Sequence, residues 1–97
     1  MKKGYWIITF RSVSDAAKLA AYIEVAGAAL RAGGARYIVR GTPAKVYEAG
    51  VPERTVVIEF ESLAKAIAVY ESAEYQRSLE ALGDGAERDV RILEAFE

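Results

Sequence analysis

Residues 54–62 read RTVVIEFES and alternate in the manner of a β-strand. Because successive side chains of a strand point to opposite faces of its sheet, Val56, Ile58 and Phe60 share one face. Val57 and Glu59 lie on the other face, where an apolar side chain stands beside a carboxylate. A face of this kind is neither a plain core nor a plain water-facing surface. Whatever covers it decides the architecture of the protein.

The composition predicts a single domain that covers residues 1–97. A chain of 97 residues is too short to divide into two typical domains, and a domain of this size is only marginally stable alone. Its hydrophobic content of 53% is high for a small protein. We therefore expect apolar surface to be left over for a partner.

The residue types that the sequence lacks argue against several kinds of chemistry. Without cysteine there is no disulfide, no thiolate nucleophile and no zinc–thiolate site, and without histidine the commonest metal ligand is missing. We therefore expect neither a metal nor a cofactor. The 13 basic and 14 acidic residues are mixed along the chain and form no basic tract, so nucleic acid is not an expected partner.

The N-terminal stretch does not resemble a targeting segment. Residues 1–11, MKKGYWIITFR, hold a short apolar run without the length or the small-residue cleavage site of a signal peptide. No segment approaches the roughly 18 apolar residues of a membrane span. We expect a cytoplasmic protein that does not interact with membranes.

The remaining segments alternate between strand and helix patterns. We predict strands at 5–10, 35–41, 54–62 and 89–96, with a turn after the second strand and a loop, GDGAER, at 83–88. A first helix begins after Ser14 or Asp15 and ends at the glycine pair 33–34. Ser62 caps a second helical segment, and Ser72 caps a further piece of it.

The order β-α-β-β-α-β predicts an α+β, ferredoxin-like sandwich, in which a four-stranded antiparallel sheet carries two helices on one face. An RNA-recognition module shares this order but needs exposed aromatic residues on its third strand, and they are missing here. On the open face, every strand places at least one large apolar residue. A second copy of the same sheet is the simplest cover, because a two-fold axis makes the patch its own complement. The expected homodimer interface comprises Tyr5, Ile7, Ile38, Arg40, Val57, Glu59 and Leu93.

Within that interface the Glu59 carboxylate needs a partner, because burial of an unpaired charge is costly. The alternation places Arg40 across the hairpin on the same face. We therefore predict an Arg40–Glu59 pair that fixes the register of the interface. A role in ligand binding or catalysis, and a role as ordinary solvated charges, are the alternatives.

Five blocks of the chain resemble the DUF1330 family, a domain family of unknown function. They are KGYWI (3–7), RYIVRG (36–41), RTVVIEFES (54–62), SAEYQ (72–76) and ILEA (92–95). Members of this family adopt the dimeric α+β barrel, a fold also used by small cofactor-free monooxygenases and by muconolactone isomerases. The resemblance therefore implies the same homodimer, and it implies no particular activity.

A second candidate site is a cavity between the helices and the covered face of the sheet. Its expected ligand-binding residues are Trp6, Tyr22, Arg54, Tyr70 and Tyr75. Arg54 is suited to hold a carboxylate through two parallel hydrogen bonds, while Tyr75 or Glu94 are the candidates for moving a proton. The aromatic residues fit equally well as core residues whose hydroxyl groups reach the rim.

Three functions follow from these sites. The first is a homodimer that binds an aromatic or carboxylated metabolite without a cofactor. The second is a cofactor-independent isomerase, lyase or oxygenase that acts on such a molecule. The third is a structural or regulatory dimer without a ligand.

Overall fold

The computed structural model describes residues 2–97 and confirms the predicted ferredoxin-like α+β fold. Its elements are β1 (Gly4–Val13), α1 (Ala16–Ala32), β2 (Arg36–Gly41), β3 (Thr55–Phe60), α2 (Leu63–Glu71), α3 (Ala73–Leu82) and β4 (Ala86–Glu94). The four strands form one antiparallel sheet in the order β2-β3-β1-β4. β1 and β3 are therefore the central strands, and β2 and β4 form the edges.

The ends of the helices follow the polar residues and glycines of the sequence. At α1 the Asp15 carboxylate accepts a hydrogen bond of 3.0 Å from the backbone N–H of Lys18, and the chain leaves the helix through Gly34 at φ 72°. The predicted second helical segment is divided in two at Ser72. Its hydroxyl donates to the Val69 carbonyl at 2.7 Å and accepts from the backbone N–H of Tyr75 at 3.2 Å, so one side chain ends α2 and begins α3.

The helices cover one face of the sheet and form the core with it. That face buries Trp6, Ile8, Phe10, Val56, Ile58 and Phe60, each at most 5% exposed. β1 begins tightly against the start of α2, because a Cβ atom on Gly4 would lie 2.5 Å from the carbonyl oxygen of Ser62. Only glycine fits this approach, and it brings Trp6 beneath α2, where the indole N–H donates to the Ala66 carbonyl at 2.8 Å.

A β-bulge interrupts strand β2 at Ile38. Val39 lies opposite Val57 of β3, so Ile38 is one residue more than the ladder needs. A plain alternation assigns Val39 to the covered face, but its partner Val57 belongs to the open face. The prediction for Val39 is therefore wrong, because a single extra residue reverses the alternation beyond it.

The same bulge separates Arg40 from Glu59. Arg40 lies opposite Val56, a residue of the covered face, and its guanidinium carbon lies 4.5 Å from the centre of the Tyr37 ring. The residue opposite Glu59 is Arg36, whose Nε lies 4.0 Å from Oε1 of the carboxylate. The predicted Arg40–Glu59 pair and the predicted place of Arg40 on the open face are both wrong.

The last strand begins three residues earlier than the sequence pattern indicated. β4 starts at Ala86, so residues 86–88 belong to the sheet and not to the preceding loop. Arg88 lies opposite Phe10 in this extension and therefore faces the helices. This shift brings a charged side chain to the covered face that the predicted boundary had left in a loop.

The open face of the sheet is apolar at its centre. Tyr5, Ile7 and Val57 are half-buried there by their neighbours in the sheet, and Leu93 is 50% exposed. The Tyr5 hydroxyl donates to Glu59 at 2.8 Å, which gives the carboxylate a partner within its own chain. Along residues 2–97, none of the helices has the length and hydropathy needed to cross a membrane.

Candidate functional site

A crevice opens between helix α1 and the covered face of the sheet, on the side of strand β2. Its lining comprises Ile8, Phe10, Tyr22, Ile23, Ala26, Leu30, Tyr37, Arg54, Val56, Ile58 and Arg88. The enclosed part has a volume of about 30 Å³, and the crevice together with its open mouth has about 360 Å³. The enclosed part holds only a water or two, so a small organic molecule fits only if the crevice widens at its mouth.

Two arginines flank Phe10 in the sheet at the polar end of this crevice. Arg88 of β4 is the register partner of Phe10 on β1, and the backbone N–H of Phe10 donates to the Arg54 carbonyl at 2.9 Å. The three residues therefore form one row across β3, β1 and β4. Because neighbouring strands lie about 4.8 Å apart, the backbones of the two arginines are about 10 Å apart.

Arg88 is held in place without a carboxylate. One guanidinium nitrogen donates to the Tyr22 hydroxyl at 2.9 Å, and the guanidinium carbon lies 4.7 Å from the centre of the Tyr22 ring and 5.7 Å from that of Phe10. Within residues 2–97, no carboxylate oxygen comes within 4.0 Å of Arg88 or of Arg54. Both charges therefore stay unneutralised beside apolar walls, an arrangement that favours an anionic ligand.

A hydrogen bond between two tyrosines continues this polar group into the core. The Tyr22 and Tyr75 hydroxyl oxygens are 2.6 Å apart, and Tyr75 is fully buried. Burial is the main cause that raises the pKa of Tyr75 far above its usual value of 10.0. Tyr75 therefore keeps its proton at neutral pH and acts as a hydrogen-bonding group, which argues against a role as a general base.

The expected ligand-binding residues divide into two groups. Tyr22 and Arg54 line the crevice. Trp6, Tyr70 and Tyr75 lie in a separate aromatic cluster, where the Trp6 ring centre is 5.5 Å from that of the half-buried Tyr70 and 4.8 Å from that of Tyr75. These three side chains do not line the crevice, and their arrangement matches the alternative in which they fill the core.

Glu94, a candidate proton carrier, lies at the far end of its strand. It is exposed, stands opposite Gly4, and is six residues from Arg88 along β4. At about 3.4 Å per residue this separation is about 20 Å, so the structure does not bring Glu94 and the crevice together.

Sequence reasoning missed Arg88 and Arg40 as parts of the crevice and its mouth, whereas Tyr37 was among the aromatic residues expected near the cavity. Arg88 was assigned to a loop, and only the pairing of β4 with β1 places it beside Phe10. Tyr37 lines the mouth and is 43% exposed, with Arg40 stacked on its ring. No local pattern marks Arg88 and Arg40, because their position depends on the register of edge strands.

Solved structures share this fold at low sequence identity. A protein of unknown function from Rhodopseudomonas palustris is 13% identical, with a TM-score of 0.76 over 99% of this chain and 84% of its own. A dimeric protein of unknown function and ferredoxin-like fold from Bacteroides fragilis is 15% identical, with a TM-score of 0.60 over 96% of both chains. The cofactor-independent oxygenase SnoaB from Streptomyces nogalater is 10% identical, with a TM-score of 0.59 over 100% of this chain and 96% of its own. At these identities the likeness shows the fold alone.

The family assignment rests on the sequence itself. No curated protein shows significant similarity to the chain. Residues 3–96 match the DUF1330 family, described as a domain of unknown function, which confirms the resemblance seen in the five sequence blocks. The chain therefore belongs to the DUF1330 family.

Proposed function

We propose that this protein is a homodimer that binds a small carboxylated molecule with an apolar body in the crevice of each subunit. The observation that carries the proposal is the pair of arginines, Arg54 and Arg88, which line an otherwise apolar crevice without a carboxylate partner in residues 2–97. A guanidinium group binds a carboxylate with two parallel hydrogen bonds. The aliphatic and aromatic walls supply the apolar contacts for the rest of the molecule.

The homodimer is supported by the open face of the sheet. Its central apolar side chains, Tyr5, Ile7 and Val57, are only half-buried, and no helix of residues 2–97 lies on this face. A contiguous apolar patch of this kind is unusual on a monomer. The dimeric state of the Bacteroides fragilis protein, which has the same fold, favours a dimer here as well. The Glu59 carboxylate already accepts a hydrogen bond from Tyr5, which lowers the cost of burying it in such an interface.

Binding of a metabolite requires the crevice to widen at its mouth. Tyr37 belongs to an edge strand and is 43% exposed, so its ring is free to swing outward with Arg40. Ile23, on the opposite wall, is 38% exposed. The ligand therefore enters between α1 and β2, with its carboxylate directed toward the arginines.

Calorimetric titration and thermal shift with benzoate, 1-naphthoate and hexanoate test this function. A ligand that binds only the folded state raises the melting temperature. At a ligand concentration one hundred times Kd, the free energy of unfolding rises by about 2.7 kcal/mol. We expect Arg54→Gln to weaken binding at least about tenfold. Arg77→Gln, on the exposed surface of α3, is the matched control and leaves binding unchanged. The absence of binding by these acids and by their dicarboxylate analogues would contradict the proposal and favour a dimer without a ligand.

A cofactor-independent enzyme is the second candidate, because a chain of polar groups reaches the crevice. Tyr22 is hydrogen-bonded to both Tyr75 and Arg88 and lines the crevice, so it is placed to donate a proton to an oxygen of a bound molecule. Turnover of a lactone or an activated aromatic acid that is lost in Tyr22→Phe, while binding persists, would identify catalysis. Equal turnover in Tyr22→Phe would remove this role.

A further inference from the structure

The row Arg54–Phe10–Arg88 also constrains the charge of the molecule that fits the crevice. Both arginines lie on the covered face, one on each side of Phe10, and both line the same crevice. No aspartate or glutamate of residues 2–97 lines it. A ligand with a single negative charge neutralises one guanidinium and leaves the other half-buried without a counter-charge, which is unfavourable beside apolar walls.

The direction of the hydrogen bond between Tyr22 and Tyr75 indicates a second anion site at the Arg88 end of the crevice. Two hydroxyl groups share one hydrogen bond of 2.6 Å, so one of their two protons needs another acceptor. If Tyr22 donated, the proton of the fully buried Tyr75 would have no acceptor among residues 2–97. The satisfied arrangement has Tyr75 donating to Tyr22, whose own proton then points toward the crevice beside Arg88.

An anion at this end therefore meets two kinds of donor. The guanidinium of Arg88 uses one nitrogen on Tyr22 and has further N–H groups to offer. The hydroxyl of Tyr22 adds an O–H donor at the same place. At the other end of the row, Arg54 is a half-buried guanidinium that makes no ion pair within residues 2–97.

We infer that the crevice selects a dianion, with one carboxylate held by Arg54, the other held by Arg88 and Tyr22, and a short apolar spacer lying along Phe10. This inference rests on the proposed function and narrows it from carboxylates in general to dicarboxylates. The backbones of the two arginines are about 10 Å apart, and the Arg88 guanidinium lies over Phe10 while Arg54 lines the same crevice. This spacing suits a rigid spacer of the size of one benzene ring.

Matched acids that differ by one carboxylate test the inference. Terephthalate, isophthalate and adipate are titrated against benzoate and hexanoate by calorimetry at constant ionic strength. We expect the best dicarboxylate to bind at least about tenfold more tightly than its monocarboxylate counterpart. Arg88→Gln and Arg54→Gln should each remove the preference for dicarboxylates. The Kd of benzoate should then differ by no more than a few-fold between these two variants.

Two further variants test the charge of Arg88 apart from its planar geometry, and the hydroxyl group of Tyr22 apart from its ring. Arg88→Lys keeps the charge without the planar fork and retains part of the dicarboxylate preference. Tyr22→Phe removes only the hydroxyl donor and reduces affinity for dicarboxylates more than for benzoate. Circular dichroism and thermal melting of each variant show whether a loss of binding comes from unfolding, and Arg77→Gln serves again as the control.

The outcomes distinguish the two proposals. If benzoate and terephthalate bind equally well to the wild-type protein, the dianion inference is overturned and the proposed function stands. If a dicarboxylate preference persists in both Arg88→Gln and Arg88→Lys, the second anion site is not at Arg88, and the inference is again overturned. If none of the acids binds, both proposals fail.

Discussion

The two faces of the sheet are both apolar, yet only one is covered within the chain. On the helix side, Trp6 and Ile58 are at most 1% exposed, whereas on the open side Leu93 and Val39 are 50% and 53% exposed. The strands themselves therefore do not reveal which face is the core of the subunit. The contrast teaches that the helices stabilise one face at folding, while the other face keeps its apolar area available for association.

The largest effect is expected where the covered face is most densely packed. Trp6→Ala removes a fully buried ring that lies 4.9 Å from Phe60 and 4.8 Å from Tyr75, together with its hydrogen bond to Ala66. We expect a loss of about 3–5 kcal/mol in the free energy of unfolding, measured by urea denaturation. Trp6→Phe, which keeps a ring in the cluster, should recover part of this loss. A loss below about 1 kcal/mol in Trp6→Ala would mean that this cluster does not hold the layers together.

The open face is tested by a charge placed at its centre. Val57→Lys puts an ammonium group between the strands that carry Ile7 and Val39, and the proposed dimer would form through this face only by desolvating it. We expect the dimer dissociation constant to rise at least about 100-fold in sedimentation velocity, while circular dichroism shows a folded subunit.

The matched control for this experiment is Ile67→Lys. Ile67 is 39% exposed on α2, so it is an apolar residue on the outer surface of the helices. Its replacement should leave the dissociation constant unchanged. Dimerisation of Val57→Lys at wild-type strength would show that the open face is not the interface.

The covered face should also make the free energy of unfolding depend on alkaline pH, because it buries Tyr75. Burial raises the pKa of Tyr75 above the 10.0 of an unfolded chain, so the native state holds this proton more tightly. Its contribution to stability is complete below about pH 10 and is lost above it, at about 1.4 kcal/mol per pH unit. Tyr75→Phe should flatten the fall in unfolding free energy by this amount. Parallel curves for the two proteins, measured by urea denaturation, would assign the alkaline loss to other groups.

The smallest effect is expected from the two arginines of β2. Arg36 lies opposite Glu59 on the open face, whereas Arg40 lies opposite Val56 and stacks on Tyr37. Arg36→Gln should weaken the proposed dimer slightly, because the ion pair is long and its arginine is largely exposed. Arg40→Gln should not weaken it at all. A stronger effect of Arg40→Gln in sedimentation equilibrium would reverse this assignment of the faces.

Most of the fold could be predicted from local patterns. Alternation identified the central strands, and the residues that cap helices, Asp15, Ser62 and Ser72, occupy the positions that the sequence indicated. The capping serine at the middle of the second helical segment even marked its division into α2 and α3. These features depend on neighbours within a few residues, which a single sequence displays directly.

The candidate site could be predicted only in part. Arg54 and Tyr22 were identified because their residue types suit a carboxylate ligand and an aromatic wall. Arg88 was missed because its position depends on how far β4 pairs with β1, and Arg40 was misplaced because of the bulge at Ile38. Register and bulges arise from contacts between distant segments, and they leave no periodic signal in one strand.

The bulge also sets where the sheet tolerates a change of chain length. Deletion of Ile38 would convert the ladder to regular pairing and leave Val39 and Arg40 opposite their present partners on β3. The same deletion within β1 would instead exchange inner and outer side chains for the rest of that strand. Relatives that are one residue shorter should therefore have lost that residue at this point of β2, where neither side of the sheet is disturbed.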